Sequence, residues 1–231
     1  MSWGGKREGA GRPKTSPMVS HLKRPRVGSR RPLKVTLKIR KTLPSLRNEN
    51  IFEVFEKACL RARRFGLRVI HFAITDFRIV MICEFKNQDQ LEKSFKSLNT
   101  SLAIALKKEF LIQNGSKHEG PVFLGRFEMD VLTEPEQCRI AIRDLYLAAS
   151  WQAKESPHPD SFSSAPVFKD WRALLKEEYN KSFEANDFTE SAVERAKRIT
   201  ALPQYWLTNA SWSSVDVEKP SDFSEQNLLV R

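Results

Sequence analysis

Residues 67–85 read LRVIHFAITDFRIVMICEF, and this stretch decides the fold. Two apolar runs, 67–75 and 78–85, are separated only by Asp76 and Phe77. Such a short separation is typical of a hairpin, or of a bulge, between two antiparallel strands. The sequence therefore predicts a β-sheet with this strand pair inside it.

The residues before this pair predict one strand and one helix. Apolar and polar residues alternate through 33–40 (LKVTLKIR), which is the period of a strand with one buried and one basic face. Apolar residues then recur at helical spacing from Ile51 to Ala62, and Gly66 provides a stop.

The residues after the pair predict a long amphipathic helix, another strand and another helix. Asp89 is expected to cap the long helix, which ends at Asn114-Gly115. Its expected apolar stripe consists of Leu91, Phe95, Leu98, Leu102, Ile104, Ala105 and Phe110. Residues 122–132 predict a fourth strand, and 133–151 predict a helix with Pro135 in its first turn. The order β-α-β-β-α-β-α predicts an α+β fold with a ferredoxin-like antiparallel sheet.

Composition divides the chain into three regions. Residues 1–31 are rich in Gly, Pro, Ser, Lys and Arg, and they are expected to form a disordered basic tail. Residues 32–151 form the main domain. Residues 152–231 are expected to form a mostly helical extension, with a Pro/Ser-rich link at 156–166, helices near 170–183 and 189–200, and a Trp-rich end.

The positive charge is concentrated in the first region. The net charge is +11, and residues 1–41 contain thirteen Lys or Arg against the single acid Glu8. Such a segment attracts a polyanion, of which nucleic acid is the commonest. GRPK at 11–14 resembles an AT-hook core, and KRPR at 23–26 could be a poorer copy. Reading of a narrow minor groove and non-specific attraction to phosphates both remain open.

Cysteine spacing and hydropathy favour a cytoplasmic protein, and a DNA partner would place it at the nucleoid. Cys59, Cys83 and Cys138 form no CxxC pair, so they are expected to be buried thiols rather than disulfide partners or zinc ligands. No apolar run approaches the roughly 18 residues that span a bilayer, and the N-terminus lacks the apolar stretch of a secretory signal.

Several segments, taken in order, resemble the REP-associated tyrosine transposases, a branch of the HUH-fold single-strand transposases of mobile elements. PLKVTL (32–37) and LPSLR (43–47) are similar to that family's opening strand and turn. RVIHFAI (68–74) resembles the strand before its metal motif, and VFLGRF (122–127) resembles its Val-Phe-x-x-Arg-Tyr strand. DSFSSA (160–165) with Trp171, and PQYWL (203–207) with Trp212, resemble the C-terminal region of long members. The resemblance spans roughly residues 32–213 and implies a role related to DNA transposition.

The resemblance also implies a catalytic centre whose residues are replaced here. In the family, two strand histidines hold a divalent metal, and a helix-borne tyrosine attacks the phosphate that this metal polarises. Arg78 and Val80 stand at the histidine positions, in FRIVM (77–81), and Asp144 stands at the tyrosine position, in AIRD (141–144). An arginine repels a cation and a valine offers no lone pair. No metal or other cofactor is therefore expected, and the chain is expected to bind DNA without cleaving it.

Two alternatives remain open. Tyr146 could act as the nucleophile of a rearranged, active transposase, although it is rotated by about 200° from Asp144 along a helix. That reading needs Mg²⁺ or Mn²⁺ on carboxylates drawn from Asp76, Glu84, Glu128 and Asp144. The other alternative is an RNA-binding or protein-assembly module, for which Phe72 and Phe77 are the candidate base-stacking residues. His71 is expected to be a structural residue.

The expected partner is single-stranded or hairpin DNA, no membrane contact is expected, and homodimerisation remains open. Arg78 could contact the phosphate that the metal holds in the family. The basic group Arg61, Arg63, Arg64 and Arg68 suits either DNA or the dipole of its own helix. The expected DNA-binding residues are Arg12, Lys14, Lys23, Arg24, Arg26, Arg30, Arg31, Lys38, Arg78, Arg126 and Arg143.

Overall fold

The computed structural model describes residues 27, 31–150, 161–168 and 188–203. Within these residues the strands are β1 (Leu33–Lys38), β2 (Arg68–Thr75), β3 (Arg78–Glu84) and β4 (Glu128–Val131). The helices are α1 (Glu49–Arg64), α2 (Gln88–Asn114), α3 (Pro135–Ser150) and α4 (Glu190–Ile199). None of these helices combines the length and the apolar character that crossing a membrane would require.

The four strands form one antiparallel sheet in the order β2-β3-β1-β4. This order, with two helices between the strands in the chain, is that of a ferredoxin-like sheet, and it confirms the predicted α+β fold. Asp76 and Phe77 are the only residues between β2 and β3, so the predicted hairpin is also confirmed.

Each face of the sheet has its own apolar core. The main core lies on the side of α1 and α2, where Leu33, Val35 and Leu37 of β1 pack with Phe52 and Phe55 of α1. A second core lies on the other side, where α3 packs on β2 and β3 through residues that include Ala73, Val80, Ile82, Ile142 and Leu145. Because α3 packs on β2 and β3, the part of this second face formed by β1 and β4 lies to one side of α3. Among the described residues, the side chains that β1 and β4 place on this face are exposed or partly exposed.

The helix boundaries follow ordinary capping rules, with one correction. Asn87, and not Asp89, is the N-cap of α2, because its side chain accepts a hydrogen bond from the Gln90 amide at 2.9 Å. Asp89 lies in the first helical turn, where a carboxylate favours the helix dipole without capping the end. Gly115, at φ 67°, ends α2 as predicted.

The apolar stripe of α2 also differs from the prediction at one position. Ile104 is 65% exposed, whereas Leu106 is fully buried. Leu98, Leu102 and Leu106 are spaced by four residues and share one face of the helix. Ile104 follows Leu102 by two residues, which turns its side chain about 200° away from that face.

The predicted fourth strand is divided into two pieces. Only Glu128–Val131 forms β4, and Phe123 makes a separate bridge with Ile39. Between the pairs Thr36–Glu128 and Ile39–Phe123, β1 advances by three residues and its partner by five. Gly125, at φ 104°, lies in this interval, and its left-handed backbone accommodates the two extra residues as a bulge.

Residues 161–168 cover the outer edge of β2. Ser163 pairs antiparallel with Ala73, and the Ser164 amide donates to the Phe72 carbonyl at 2.9 Å. Part of the Pro/Ser-rich stretch expected to be a link is thus packed on the sheet. The reason is that β2 is an edge strand whose free backbone groups need partners.

The end of α4 reaches the same edge. Thr200 makes a parallel bridge with Val69, and the Ala201 amide donates to the Val69 carbonyl at 2.8 Å. The Arg63 guanidinium donates to three carbonyls at the C-terminus of α4, those of Arg198, Ile199 and Thr200, at 3.0, 3.0 and 2.7 Å. The helix predicted near 189–200 is confirmed, whereas the one predicted near 170–183 and the Trp-rich end lie outside the described residues.

Candidate nucleic-acid interface

The polar side of β1 faces away from the main core. Lys34, Thr36 and Lys38 alternate with fully buried residues, and all three are partly exposed beside α3. Neighbouring strands add further polar positions to this surface. We call it the open sheet face, formed by Lys34, Thr36, Lys38, Arg78, Glu128 and Asp130.

One end of the open sheet face holds two adjacent cations. Lys38 and Arg78 are direct partners across β1 and β3, and Arg78 is exposed. Like charges placed opposite each other across a sheet destabilise it. Lys38 also forms an ion pair with Glu128 of β4, which offsets one of the two charges. The remaining positive charge is one that a phosphate group could neutralise.

The other end of the open sheet face is nearly neutral. The Lys34 ammonium lies 3.6 Å from the Asp144 carboxylate of α3, and Asp130 is opposite Lys34 on β4. Asp144 is also 3.6 Å from the guanidinium of Arg143. These cations already have acidic neighbours, and such partly exposed pairs contribute little to stability.

The three positions that the sequence resemblance matched to catalytic residues lie on or next to this face. Arg78 is exposed at the start of β3, whereas Val80, two residues on, is only 8% exposed and packs in the second core. Asp144 lies on α3 against Lys34 of β1. Neither Val80 nor Arg78 can donate an electron pair to a metal, so Asp144 is the one possible metal ligand among the three.

The carboxylates considered as a substitute metal site are held apart by different partners. Asp76, in the hairpin turn, accepts a hydrogen bond at 2.6 Å from the hydroxyl of Ser45, which lies between β1 and α1. Glu84 is fully buried and lies 3.5 Å from Arg68. Among the described residues no group of three or more His, Cys, Asp or Glu side chains could hold a metal ion.

Tyr146 belongs to a buried polar network rather than to a surface. Its hydroxyl lies 2.9 Å from His71 Nδ1 and 2.9 Å from the Ser164 hydroxyl, and its ring is stacked on Phe168 at 5.5 Å. The side chain is fully buried, which raises the pKa of Tyr146. Burial also lowers the pKa of His71 to about 3, so this ring is neutral at physiological pH. A tyrosine in this position has no access to a DNA phosphate.

The aromatic residues considered for base stacking are not on the open sheet face. Phe72 is fully buried in the main core, 5.6 Å from the ring of Phe55. Phe77 is half-buried in the hairpin and packs against the same core. A stacking platform of the kind used by RNA-binding sheets is therefore absent from these two positions.

The basic residues predicted from the sequence fall into distinct places. Lys38, Arg78 and the exposed Arg126 lie toward one end of β1, because the amide of Leu124 donates to the Lys38 carbonyl at 2.9 Å. Arg31 lies at the opposite end, two residues before the first residue of β1. The other predicted DNA-binding residues of the tail lie outside the described residues: Arg12, Lys14, Lys23, Arg24, Arg26 and Arg30.

The basic group at the end of α1 has mostly structural partners. Arg63 caps α4, Arg61 donates to the Ser101 hydroxyl at 2.8 Å, and Arg68 is the neighbour of Glu84. Two cations that the sequence reasoning left out of the site, Arg40 and Lys41, lie two and three residues after Lys38. The alternating pattern of residues 33–40 could have indicated Arg40, because it places this residue on the same side of the chain as Lys38.

Comparisons with known proteins leave the family of the chain unassigned. No protein-family model matches the chain, and no curated protein matches it. Among solved structures, it is similar to a chain described as "Structure of the REP associates tyrosine transposase bound to a REP hairpin". The TM-score is 0.49 and the sequence identity 14%, over 74% of this chain and 94% of that chain. A similarity of this size does not assign a function, which rests on the residues described above.

Proposed function

We propose that the protein is a transposase-like DNA-binding protein, which binds single-stranded or hairpin DNA and does not cleave it. The observation that supports the proposal is the Lys38–Arg78 pair, two adjacent cations of which Arg78 is exposed and Lys38 partly exposed. The basic N-terminal sequence supports it. In this proposal the chain descends from HUH-fold transposases of mobile elements and acts in the cytoplasm, at the nucleoid.

Arg78 is the main phosphate ligand in this proposal. A guanidinium can donate two parallel hydrogen bonds to one phosphate, whereas the Lys38 ammonium acts as a point charge. Glu128 limits binding because it competes with phosphate for Lys38. Such contacts recognise the backbone of the DNA and do not read its bases.

Loss of cleavage follows in this proposal from the residues at the catalytic positions. Val80 is packed among apolar side chains, and Asp144 replaces a nucleophile with a carboxylate that faces Lys34. The remaining tyrosine of α3, Tyr146, is enclosed by His71 and Ser164. These residues therefore provide neither the ligands for a metal that polarises a DNA phosphate nor an accessible hydroxyl to attack it.

The binding half of the proposal is tested with Arg78→Gln. We expect about a tenfold loss of affinity for a DNA hairpin. The slope of log affinity against log salt concentration should also become shallower, by the amount that about one phosphate contact contributes. Lys93→Gln, an exposed lysine on α2, removes the same charge from the far side of the sheet and serves as the control. Equal losses in the two variants would mean that the open sheet face does not bind DNA.

The chemical half of the proposal is tested on a denaturing gel. Wild-type protein is incubated with single-stranded and hairpin DNA in Mg²⁺ or Mn²⁺, and strands are examined for cleavage or covalent attachment. We expect intact DNA. An adduct that disappears in Tyr146→Phe would establish the active alternative instead.

A further inference from the structure

The side chain of Arg40, just beyond β1, contains a partly buried positive charge. Its Nε is buried and has no hydrogen-bond partner among the described residues. Nearly all buried polar groups in proteins have a hydrogen-bond partner, and an unsatisfied donor on a charged group is costly. The acceptors that match a guanidinium best are carboxylate and phosphate oxygens. Arg40 is therefore suited to bind an anionic group of another molecule.

Arg78 lies close to Arg40 on the same face of the sheet. Lys38 is the direct cross-strand partner of Arg78. Arg40 follows Lys38 by two residues, with the buried Ile39 between them, so Arg40 is the diagonal neighbour of Arg78. Diagonal neighbours in an antiparallel pair are about 7–8 Å apart, which is within reach of long side chains. The two guanidinium groups can therefore donate to one anion.

An exposed leucine lies on the other side of Lys38. The Leu124 amide donates to the Lys38 carbonyl at 2.9 Å. The Arg40 amide donates to the Val122 carbonyl at 3.1 Å, so this segment runs alongside the end of β1. Phe123 packs against the main core, whereas Leu124 is 56% exposed. The sheet thus holds an apolar side chain at its surface, next to the cations.

Arg78, Lys38 and Leu124 form a row across three neighbouring segments of the chain. Adjacent strands are about 4.8 Å apart, so the backbones of the two outer residues are separated by about 10 Å. The exposed Arg126 follows Leu124 by two residues. We call this group the corner site, and it consists of Lys38, Arg40, Arg78, Leu124 and Arg126.

A nucleotide contains both kinds of group that the corner site can bind. Its phosphate suits the guanidinium groups, and the flat face of its base suits an apolar side chain. Leucine is among the apolar residues that proteins insert against base faces. Inside a duplex these faces are covered by the neighbouring base pairs, whereas an unpaired base can expose its face. The apolar part of the site is therefore useful mainly for unpaired nucleotides.

We propose that the corner site binds one unpaired nucleotide, with its phosphate between Arg40 and Arg78 and its base against Leu124. This inference rests on the proposed DNA binding and specifies which part of the DNA the domain recognises. That part is a single-stranded segment, or the unpaired nucleotides next to a hairpin stem, rather than the stem. Because the contact with the base is apolar, the identity of the base has little effect on binding.

The test compares three DNA hairpins that share one stem. The first has a single-stranded extension of about six nucleotides, a length within the range that single-strand binders cover. The second has the same extension without its bases, so that only sugars and phosphates remain. The third has the extension paired with a complementary strand. Binding is measured by fluorescence anisotropy at several salt concentrations.

The base contact is tested with Leu124→Ser. We expect wild-type protein to bind the extension with bases about tenfold more tightly than the other two hairpins, and the variant to lose about three- to tenfold of affinity for this DNA alone. Its salt dependence should not change, because no charge is removed. Ile104→Ser, at a 65% exposed position of α2, is the control and should change each affinity by less than about twofold.

The phosphate contact is tested with Arg40→Gln. We expect about a tenfold loss of affinity for the extension both with and without bases, because both contain the phosphates. Arg40→Lys retains the charge without the planar guanidinium, and it should recover part of this loss. Thermal unfolding of each variant shows whether the fold is retained, and Arg40→Lys provides the comparison if Arg40→Gln is unstable.

Three outcomes would contradict these inferences. Equal losses of affinity for the extension with and without bases in Leu124→Ser, or no loss for either, would overturn the base contact while leaving DNA binding intact. Wild-type affinities for both extensions in the two Arg40 variants would overturn the phosphate contact. Failure of the wild-type protein to bind any of the three hairpins would instead overturn the proposed function.

Discussion

The hydroxyl of Tyr146 forms hydrogen-bond contacts with two other parts of the protein, and its removal should measurably lower the thermal stability. Tyr146 lies on α3, His71 lies on β2, and Ser164 lies on the segment that covers the edge of β2. Tyr146→Phe deletes both 2.9 Å contacts but leaves a ring that can still stack on Phe168. The substitution therefore isolates the hydrogen bonds from the packing.

The expected cost follows from burial. A lost hydrogen bond costs about 1 kcal/mol, and a buried polar group left without its partner adds to this, so about 2 kcal/mol is expected for the two contacts. In a protein of this length, each kcal/mol lowers Tm by roughly 2–4 °C, which gives a decrease of about 4–8 °C. Affinity for DNA should remain within about twofold, because the hydroxyl is buried away from the open sheet face.

Thermal unfolding followed by circular dichroism provides the measurement. Ser164→Ala should destabilise by a similar amount, and the double variant should cost less than the sum of the two single variants, because they remove the same contact. Thr100→Val removes an exposed helix hydroxyl and serves as the matched control, with a change within about 0.5 kcal/mol. A decrease in Tm below 1 °C for Tyr146→Phe would refute the reasoning about this network.

Three further predictions concern pH, packing and the sheet edge. Because the pKa of His71 falls from 6.5 to about 3 on folding, only the unfolded chain is protonated there between these values. Stability should therefore decrease as pH falls from 6.5 toward 3, by up to about 1.4 kcal/mol per pH unit, and denaturant titrations of His71→Gln should lack this part of the slope. Leu106→Ala should cost about 2–5 kcal/mol and Ile104→Ala less than 1, as measured by urea denaturation; similar values would contradict the observed α2 stripe. Truncation after residue 160 should produce dimers or aggregates in light scattering, whereas truncation after Pro203 should not.

Local patterns were sufficient to predict most of the architecture. The hairpin at Asp76-Phe77, the alternation in β1 and the stop at Gly115 all depend on neighbours in sequence, and each is confirmed. The errors arose where a tertiary contact decides. Ile104 is as apolar as its buried neighbours, and only the position of α1 and the sheet determines which side of α2 is covered.

The candidate site was only partly accessible to sequence reasoning. Arg78, Val80 and Asp144 could be singled out from the resemblance, but their common surface depends on the pairing of β1 with β3 and on where α3 packs. The ion pairs of Lys34 and Lys38 with acids of α3 and β4 join residues about a hundred positions apart, and no local pattern indicates them. No local pattern indicates the contact of Tyr146 with Ser164 either.

The closure of the β2 edge has a consequence for synthesis of the chain. β2 ends at Thr75, but its outer edge is completed by Ser163 and finally by Ala201, more than a hundred residues later. At about 5–20 residues per second, the ribosome needs roughly 6–25 s to supply this last partner. During that time the emerging protein presents an unpaired strand to its neighbours. Expression should thus depend on how quickly the part of the message after β4 is translated, because that part supplies the segments that pair with the β2 edge.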